Sequence, residues 1–437
     1  MSYSEDYEQH NSRLIDIKCS INLYQGEDVM SQKNLSDLPC GSFGATCMHQ
    51  LVKQPEDSLL ALIGLFAADQ RSDKIDLGVG IYKDENGCTP VFGAIKSAES
   101  YLLENQDSKS YLGPEGDKGF FESLVGLVFS DDNGDRDLDS HVAGIQTPGG
   151  TGALRLGAEL IAKGRSDAVV HLGEPTWPNH IPLFQSAGMP IKAYEHLDVE
   201  TQVLCFDKVV AAIEAAAAGD VILLHGCCHN PTGADFSQEQ WVQLAQLMKE
   251  RSLLPFIDIA YQGLGDGLEQ DAAGIRIVAK HCPEMLIAYS CDKNFGLYRE
   301  RVGALISVSP TPGIAELVQS NLLSLARANW SMPPDHGAAS VRVIMESAEL
   351  SKQWRSELNN MRERISNMRA GLYRIDPTLD FIAQQKGMFS TLSLTPAQVQ
   401  ALREEHGVYM AGSGRINIAG LVPSNLSNFA AALADVQ

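Results

Sequence analysis

The middle of the chain alternates short, unbroken apolar runs with longer stretches whose apolar residues recur at helical spacing. The runs AVVHL (168–172), DVILLH (220–225), LPFID (254–258), MLIAY (285–289) and GALISV (303–308) are rich in branched residues and show no polar alternation. They predict strands buried on both faces. Between two of them, SQEQWVQLAQLMKERS puts Trp241, Leu244, Leu247 and Met248 on one helical face, and Ser237 with Gln240 has the pattern of a capping box. After TPGGTG, Leu154, Ala158 and Ile161 share another helical face. Strands alternating with helices predict an α/β fold with a mostly parallel, helix-covered sheet. Residues from about 340 to 373 read as one long amphipathic helix, and the alanine run at 215–218 as an ordinary piece of helix. At the other end, PEDSLLALIGLFAADQ begins the helical texture, with Asp57 or Ser58 as its cap. Residues 1–48 are polar and weakly periodic, and read as an extension or poorly ordered arm.

A chain of 437 residues is long enough for one large domain with a second, smaller one. Its 44% apolar and 20% charged residues are those of a folded globular protein. The balance of 34 Lys and Arg against 55 Asp and Glu gives a net charge of −21. Such a surface repels nucleic acid and anionic membranes, so neither is an expected partner. An anionic substrate remains compatible, because a pocket needs only a few well-placed arginines. Nine cysteines without a C-x-x-C pair suggest neither a disulfide framework nor a zinc site, which makes a cytoplasmic setting the expectation. No apolar run approaches the roughly 20 residues that cross a bilayer, and MSYSEDYEQHNSRL lacks the hydrophobic core of a secretory signal.

In sheets of this class the chemistry sits on loops beyond the C-terminal ends of the strands. Gly149, Gly150, Thr151 and Gly152 precede a helix, where free backbone N–H groups suit a phosphate. The segment is neither a Walker A loop nor a G-x-G-x-x-G fingerprint. Asp258 ends an apolar strand and is followed by Tyr261. It is either a helix cap or the ionised carboxylate that a pyridinium cofactor needs beside its ring nitrogen. Lys293 also follows a strand and precedes Gly296. It is either a solvated surface charge or a partly desolvated amine fit for imine chemistry, with Arg299 and Arg301 nearby to favour the neutral amine and to fork onto a phosphate. HGCCHNPTG (225–233) carries a cysteine pair and two histidines. No metal is expected there, because Cys227 and Cys228 diverge in an extended segment and no second Cys or His cluster has ligand spacing. Asn230, before Pro231 and Gly233, reads as a polar side chain fixed by a turn.

Taken together these residues resemble the fold-type I, pyridoxal-phosphate (PLP) dependent aminotransferases of the aspartate and aromatic amino-acid group. The resemblance runs in order through LGVGIYKDENG (77–87), KSYLGPEGDKGF (109–120), TPGGTGALR (147–155), PTWPNH (175–180), HGCCHNPTG, DIAYQG (258–263), SCDKNFGLYRERVG (290–303), RANWSMPPDHG (327–337), GMFS (387–390) and SGRINIAG (413–420). It implies a large domain over 91–360 and a small domain made of 50–90 and 361–437 that closes over substrate. It makes Lys293 the Schiff-base lysine and proton carrier, Asp258 the partner of the pyridine nitrogen, and His180 the support behind Asp258. Asn230 and Tyr261 would hold the ring hydroxyl, and Trp177 would stack on the ring. Gly150, Thr151, Ser290 and Arg301 would bind the phosphate, with Tyr111 reaching in from a second subunit. Arg415 would grip the substrate α-carboxylate, Arg327 of the partner chain would face the far end of the substrate, and Gly80 and Leu59 would line the pocket mouth. Sites shared in this way imply a homodimer acting on amino acids and 2-oxo acids.

The wording is nearest to bacterial aromatic, or tyrosine, aminotransferases, and Met332 stands where aspartate-specific members more often have Asn. Methionine offers a soft, adaptable surface beside Arg327. The expected reaction is ping-pong transamination between tyrosine or phenylalanine and 2-oxoglutarate, with aspartate aminotransferase as the alternative. A PLP enzyme of another reaction type, or a non-catalytic PLP-binding regulator, is a further alternative. Arg415 pinning the carboxylate argues against decarboxylation, and the arm before residue 49 is too short for a DNA-binding module. One departure stands out: the family usually has Ser where this chain has Asp292. That carboxylate is expected to pair with a nearby arginine or to raise the pKa of the Lys293 imine, lowering activity or shifting its pH optimum relative to Asp292→Ser.

Overall fold

The computed structural model describes residues 48, 51–53, 58–129 and 140–437. Apart from Met48, the arm 1–48 lies outside the described residues, as does the expected cap Asp57. Contacts divide the chain into two units, Met1–Pro55 and Glu56–Gln437. In the first, the Leu51 amide donates to the Met48 carbonyl at 3.2 Å. The second begins with a helix, Ser58–Ala68.

The second unit is built on a seven-stranded sheet. In chain order its strands are β1 (Val142–Pro148), β2 (Val170–Glu174), β3 (Ile191–Glu195), β4 (Val221–His225), β5 (Leu254–Ile259), β6 (Met285–Ser290) and β7 (Val302–Val308). Their spatial order is β1-β7-β6-β5-β4-β2-β3. The pairs are parallel except that β7 runs antiparallel to both β6 and β1. Each expected apolar run overlaps one of these strands; β1, β3 and the reversal of β7 were not apparent from the apolar pattern. Alternate residues enter opposite cores: Ile222, Leu224, Ile257 and Ile287 face one, and Val221, Leu223, Phe256 and Leu286 the other. Both faces are covered, which is why the strands are apolar throughout rather than alternating.

Helix α1 (Gly149–Gly164) packs on the sheet through Leu154, Ala158 and Ile161, as its spacing predicts. A Cβ on its Gly157 would stand 2.4 Å from Phe256 Cζ, so glycine sets this close helix-to-sheet approach. Helix α2 (Gln238–Glu250) has the expected capping box: the Gln240 amide donates to Ser237 Oγ and the Ser237 amide to Gln240 Oε1.

The stretch expected as one helix over 340–373 is two, α3 (His336–Glu346) and α4 (Ala348–Ile375). Ser347 adopts extended backbone and its side chain accepts the Leu350 amide, so it caps α4 instead of continuing α3. The alanine run is also corrected, because its helix ends at Ala215. There the Asp220 carboxylate accepts the Ala217 amide at 3.0 Å, holding the chain in a turn.

One short ladder joins the two ends of the unit, and a second lies within its C-terminal part. Ile75–Asp76 runs parallel to Val408–Tyr409, and Phe389–Thr391 pairs antiparallel with Arg415–Asn417. Asn417 Nδ2 donates to the carbonyls of Val79 and Ile81, both at 2.7 Å, which fixes the Gly78–Tyr82 segment beside Arg415. No helix among the described residues is long and apolar enough to cross a membrane.

Candidate active site

The C-terminal ends of β4, β5 and β6 bring His225, Asp258 and Ser290 to one edge of the sheet, with Asp258 in register between His225 and Ala288. Asp258 is buried, and its Oδ2 lies 3.0 Å from His180 Nε2. The other His180 nitrogen meets Thr176 Oγ1 at 2.8 Å, so Thr176 fixes the ring from behind. Burial alone would raise the Asp258 carboxyl. The His180 hydrogen bond, the nearby imidazoles and the Lys293 ammonium more than offset it, and hold the carboxyl below its usual range. Trp177 packs edge-on to His180, with ring centroids 5.2 Å apart.

Lys293 lies on the turn after β6, partly buried, with Nζ 5.3 Å from the centre of the Tyr261 ring. Burial lowers its ammonium pKa against the pull of Asp292 and Asp258, and Arg301 lowers it further. This is a partly buried amine inside the fold, not a solvated surface charge. Tyr261 is buried, and Asn230 Nδ2 approaches its hydroxyl at 3.4 Å. Burial, then the Asp258 charge, raises the phenol well above its usual range, keeping it a neutral donor. Phe389 meets Tyr261 edge-on at 5.9 Å, and the Arg415 guanidinium lies 4.6 Å above the Phe389 ring. A Cβ on Gly80 would stand 3.1 Å from Phe389 Cζ, so Gly80 leaves this corner open. Arg415 is buried, donates to the Gly78 carbonyl at 2.8 Å, and keeps its Nε without a partner.

A third group surrounds the start of α1. Pro148, its N-cap residue, supplies no side-chain hydrogen bond, and the first turn holds no acid, which leaves its N–H groups for an anion. Gly149 has φ +70°, and a Cβ there would lie 2.4 Å from Arg301 Nη2; a Cβ on Gly150 would lie 3.0 Å from Ser290 Cβ. The glycines thus let Arg301 and Ser290 close on the helix start. Arg301 itself adopts φ +55°, a strained conformation for a residue with a side chain. Its Nη1 donates to Asp292 Oδ2 at 2.6 Å, while Lys293 Nζ lies 3.9 Å from the same oxygen. Asp292 therefore pairs with the arginine. Arg299 is exposed, so of the two arginines it is Arg301 that faces the site.

Buried atoms without partners cluster here: Asn230 Oδ1, Asp292 Oδ1, Arg415 Nε and His225 Nε2. Together with the glycine cradle they fit a phosphorylated heterocycle and a carboxylate ligand. A separate cavity of about 950 Å³ opens where Leu254 and Met285 begin their strands, and neither Lys293, Asp258, Arg301 nor Arg415 lines it.

Two expected residues lie elsewhere. Tyr111 is 93% exposed, and Arg327, in the last turn of the helix Pro312–Asn329, is exposed and donates to Ser331 Oγ. The neighbouring Leu112 amide contacts Met332 Sδ at 3.1 Å, so Tyr111 and Arg327 flank one surface. Neither has a hydrogen bond or ion pair with Lys293, Asp258 or Arg301 among the described residues. The Leu59 side chain lies outside the described residues.

The cysteine reading is corrected. Cys228 has φ +50°, so the segment bends, and the Cys227 and Cys228 thiols converge with Asp271 within 4.8 Å. These donors are otherwise engaged. Both Asp271 oxygens accept backbone N–H groups from Gly263, Gly265 and Asp266, and burial together with nearby carboxylates keeps the Cys228 thiol protonated, its pKa pushed up to about 12 despite the lowering pull of Cys227. His180, His225 and Asp258 also lie within 4.8 Å, but His180 is bound at both nitrogens. Behind them His225, His229 and His196 continue a file of rings, the last two stacked at 3.9 Å. Thr176, Phe389 and this file escaped the sequence reading. The i, i+4 spacings Thr176 to His180 and His225 to His229 are the signals that could have found the threonine and the file.

The family model described as "Aminotransferase class I and II" matches residues 72–433. A tyrosine aminotransferase of Rhizobium meliloti (strain 1021) is 52% identical over 87% of this chain and 97% of its own length. An aspartate aminotransferase of Escherichia coli (strain K12) is 45% identical over 89% of this chain and 99% of its own. A solved aromatic-amino-acid aminotransferase of Burkholderia pseudomallei, covalently bound to pyridoxal phosphate, superposes with TM-score 0.86 at 39% identity, covering 90% of this chain and 100% of that one.

Proposed function

The chain belongs to the aminotransferase class I and II family and is a PLP-dependent transaminase, and we propose that it moves the amino group of an aromatic amino acid to 2-oxoglutarate. The observation that carries this reading is the convergence of the partly buried Lys293, its Nζ 5.3 Å from the centre of the Tyr261 ring, with the buried Asp258–His180 pair beyond the strand ends. When bound, PLP supplies the electron sink that makes the α-proton of an amino acid removable.

The chain's own residues do the rest. Lys293 Nζ would hold the cofactor covalently and, when free, would be the base that carries the substrate α-proton to the cofactor. Asp258, kept ionised by His180, would pair with the ring nitrogen. Asn230 and Tyr261 would hold the ring hydroxyl, and Trp177 would cover the ring. Gly150, Thr151, Ser290 and Arg301 would take the phosphate. Arg415 forks onto the α-carboxylate; its unpartnered Nε and its place over Phe389 suit that role. Gly80 keeps the pocket mouth open.

The aromatic preference rests on the name of the 52% identical relative and on Met332. An aspartate preference is the second reading, supported by the E. coli relative's name and by Arg327 as a cation for a distal carboxylate. Tyr111 and Arg327 complete the site of a partner in a homodimer, a reading supported by their exposure on one surface. The small domain takes in 50–90 and 361–437 around a large domain of 91–360, a division supported by the ladder between Ile75–Asp76 and Val408–Tyr409. The setting is cytoplasmic. A panel of amino donors with 2-oxoglutarate tests the reading: kcat/KM for tyrosine or phenylalanine should match or exceed that for aspartate, and a tenfold preference for aspartate would overturn it.

A further inference from the structure

The residue that departs from the family pattern occupies the most charged part of the site. Asp292 is buried, at 6% exposure, and sits between two cations, 2.6 Å from Arg301 and 3.9 Å from Lys293. Its amide reaches Ser290 Oγ at 3.3 Å, and its own Oδ1 is buried without a partner. Arg301, Ser290 and the open start of α1 form the cradle assigned above to the cofactor phosphate. A serine at this position would leave Arg301 free for a phosphate dianion. A carboxylate already claims its Nη1, and two anions on one guanidinium repel each other.

We infer that Asp292 is a built-in competitor for the cofactor phosphate, which loosens the hold on the cofactor in its amine form. The inference rests on the PLP reading of the site. While the cofactor is joined to Lys293 a covalent bond holds it, and the weakened phosphate contact has little consequence. After the first half-reaction the cofactor carries the amino group and is no longer attached to Lys293. Retention then depends on the phosphate cradle and the ring contacts, and Asp292 acts on the first of these. This chain therefore releases pyridoxamine phosphate between half-reactions more readily than a serine-bearing relative, and needs free cofactor to sustain turnover.

The test starts from PLP-loaded enzyme as wild type, Asp292→Ser and Asp292→Asn, the last keeping the shape of the side chain. Each is converted to the amine form with excess amino donor, passed through a desalting column and diluted, and released pyridoxamine phosphate is followed by fluorescence. Both variants should release it at least tenfold more slowly than wild type. Pyridoxamine, which lacks the phosphate, should bind all three equally. Unchanged or faster release from both variants overturns the inference, as does an equal gain for pyridoxamine, which would move the effect from the phosphate to the ring. If the wild type takes up PLP without any visible absorbance band, the cofactor site itself fails, and this inference with it.

Discussion

Arg415 and Arg327 are assigned to opposite ends of one substrate, yet they lie in contrasting surroundings. Arg415 is buried over Phe389, bonded to the Gly78 carbonyl and tied in through the ladder to Phe389–Thr391. Arg327 lies exposed at a helix end, where it donates to Ser331 Oγ. The difference separates two kinds of site. On the proposed reading, a single chain assembles around Lys293 and Arg415 the groups for the step common to every amino acid. Around Tyr111, Arg327 and Met332 it offers an exposed surface that in the proposed homodimer would be covered by another chain and would tell substrates apart.

Removing the lysine is the most severe way to probe the first region. Lys293→Ala should cut turnover with every donor by at least about a thousandfold, as expected when a positioned acid-base group is lost along with a covalent anchor. It should also abolish the absorbance band of the lysine-bound cofactor. Residual turnover near wild type would place the chemistry elsewhere.

The two arginines test the contrast directly. Arg415→Ala should lower kcat/KM for tyrosine and aspartate alike by about a hundredfold or more, the cost of losing a buried fork on a carboxylate. Arg327→Ala should lower kcat/KM for aspartate and 2-oxoglutarate by about tenfold to a hundredfold and leave tyrosine within a factor of about three, since only a distal carboxylate needs it. Equal losses on tyrosine from both substitutions would erase the distinction.

The same division runs through what the sequence made legible. Apolar runs located five of the seven strands, and strand ends located Asp258 and Lys293, because a parallel sheet leaves a local trace in both its core and its loops; Ser290 came only through the family resemblance. The pairing of Asp292 with Arg301 was open, since it depends on Arg301 folding back at φ +55°. Phe389 under Arg415 could not be found by spacing, because a ladder between two short strands brings the pair together. The break at Ser347 was hidden because the apolar periodicity runs on from α3 into α4, whereas a single capping hydroxyl redirects the chain.

The imidazole file behind Asp258 tests how firmly the interior is arranged. Burial pushes His196 down to about 4 and His225 down to about 3, in the latter case helped by the charge of His180. These rings are neutral in both folded and unfolded chains above pH 6.5, so their contribution to stability is complete there. As pH falls from 6.5 towards 4 the unfolded chain takes up protons that the folded one refuses, and stability is lost at about 1.4 kcal/mol per pH unit for each such ring. His196→Gln keeps a donor for the Ala234 carbonyl but removes one titrating ring. Denaturant midpoints at pH 8, 6 and 5 should show a shallower acid slope, by about one proton, on a somewhat lower stability at pH 8. Parallel slopes for the two proteins would mean that the file is not held neutral.

The smallest expected effect belongs to Met332, at the edge of the exposed surface. Its sulfur contacts the Leu112 amide at 3.1 Å, next to Tyr111, and Ser331, the partner of Arg327, precedes it in the chain. An amide side chain there would offer Arg327 a polar neighbour and steady it for a distal carboxylate. The thioether offers none and adapts to apolar shapes. Met332→Asn should therefore shift the ratio of kcat/KM for aspartate over tyrosine upwards by about threefold, on the scale of one modest hydrogen bond, with kcat for tyrosine almost unchanged. Combined with Arg327→Ala the shift should vanish, because the asparagine acts only through the arginine. A shift of the same size in the double variant would show that Met332 selects substrates by its own contact, and that the surface has two independent selectors instead of one.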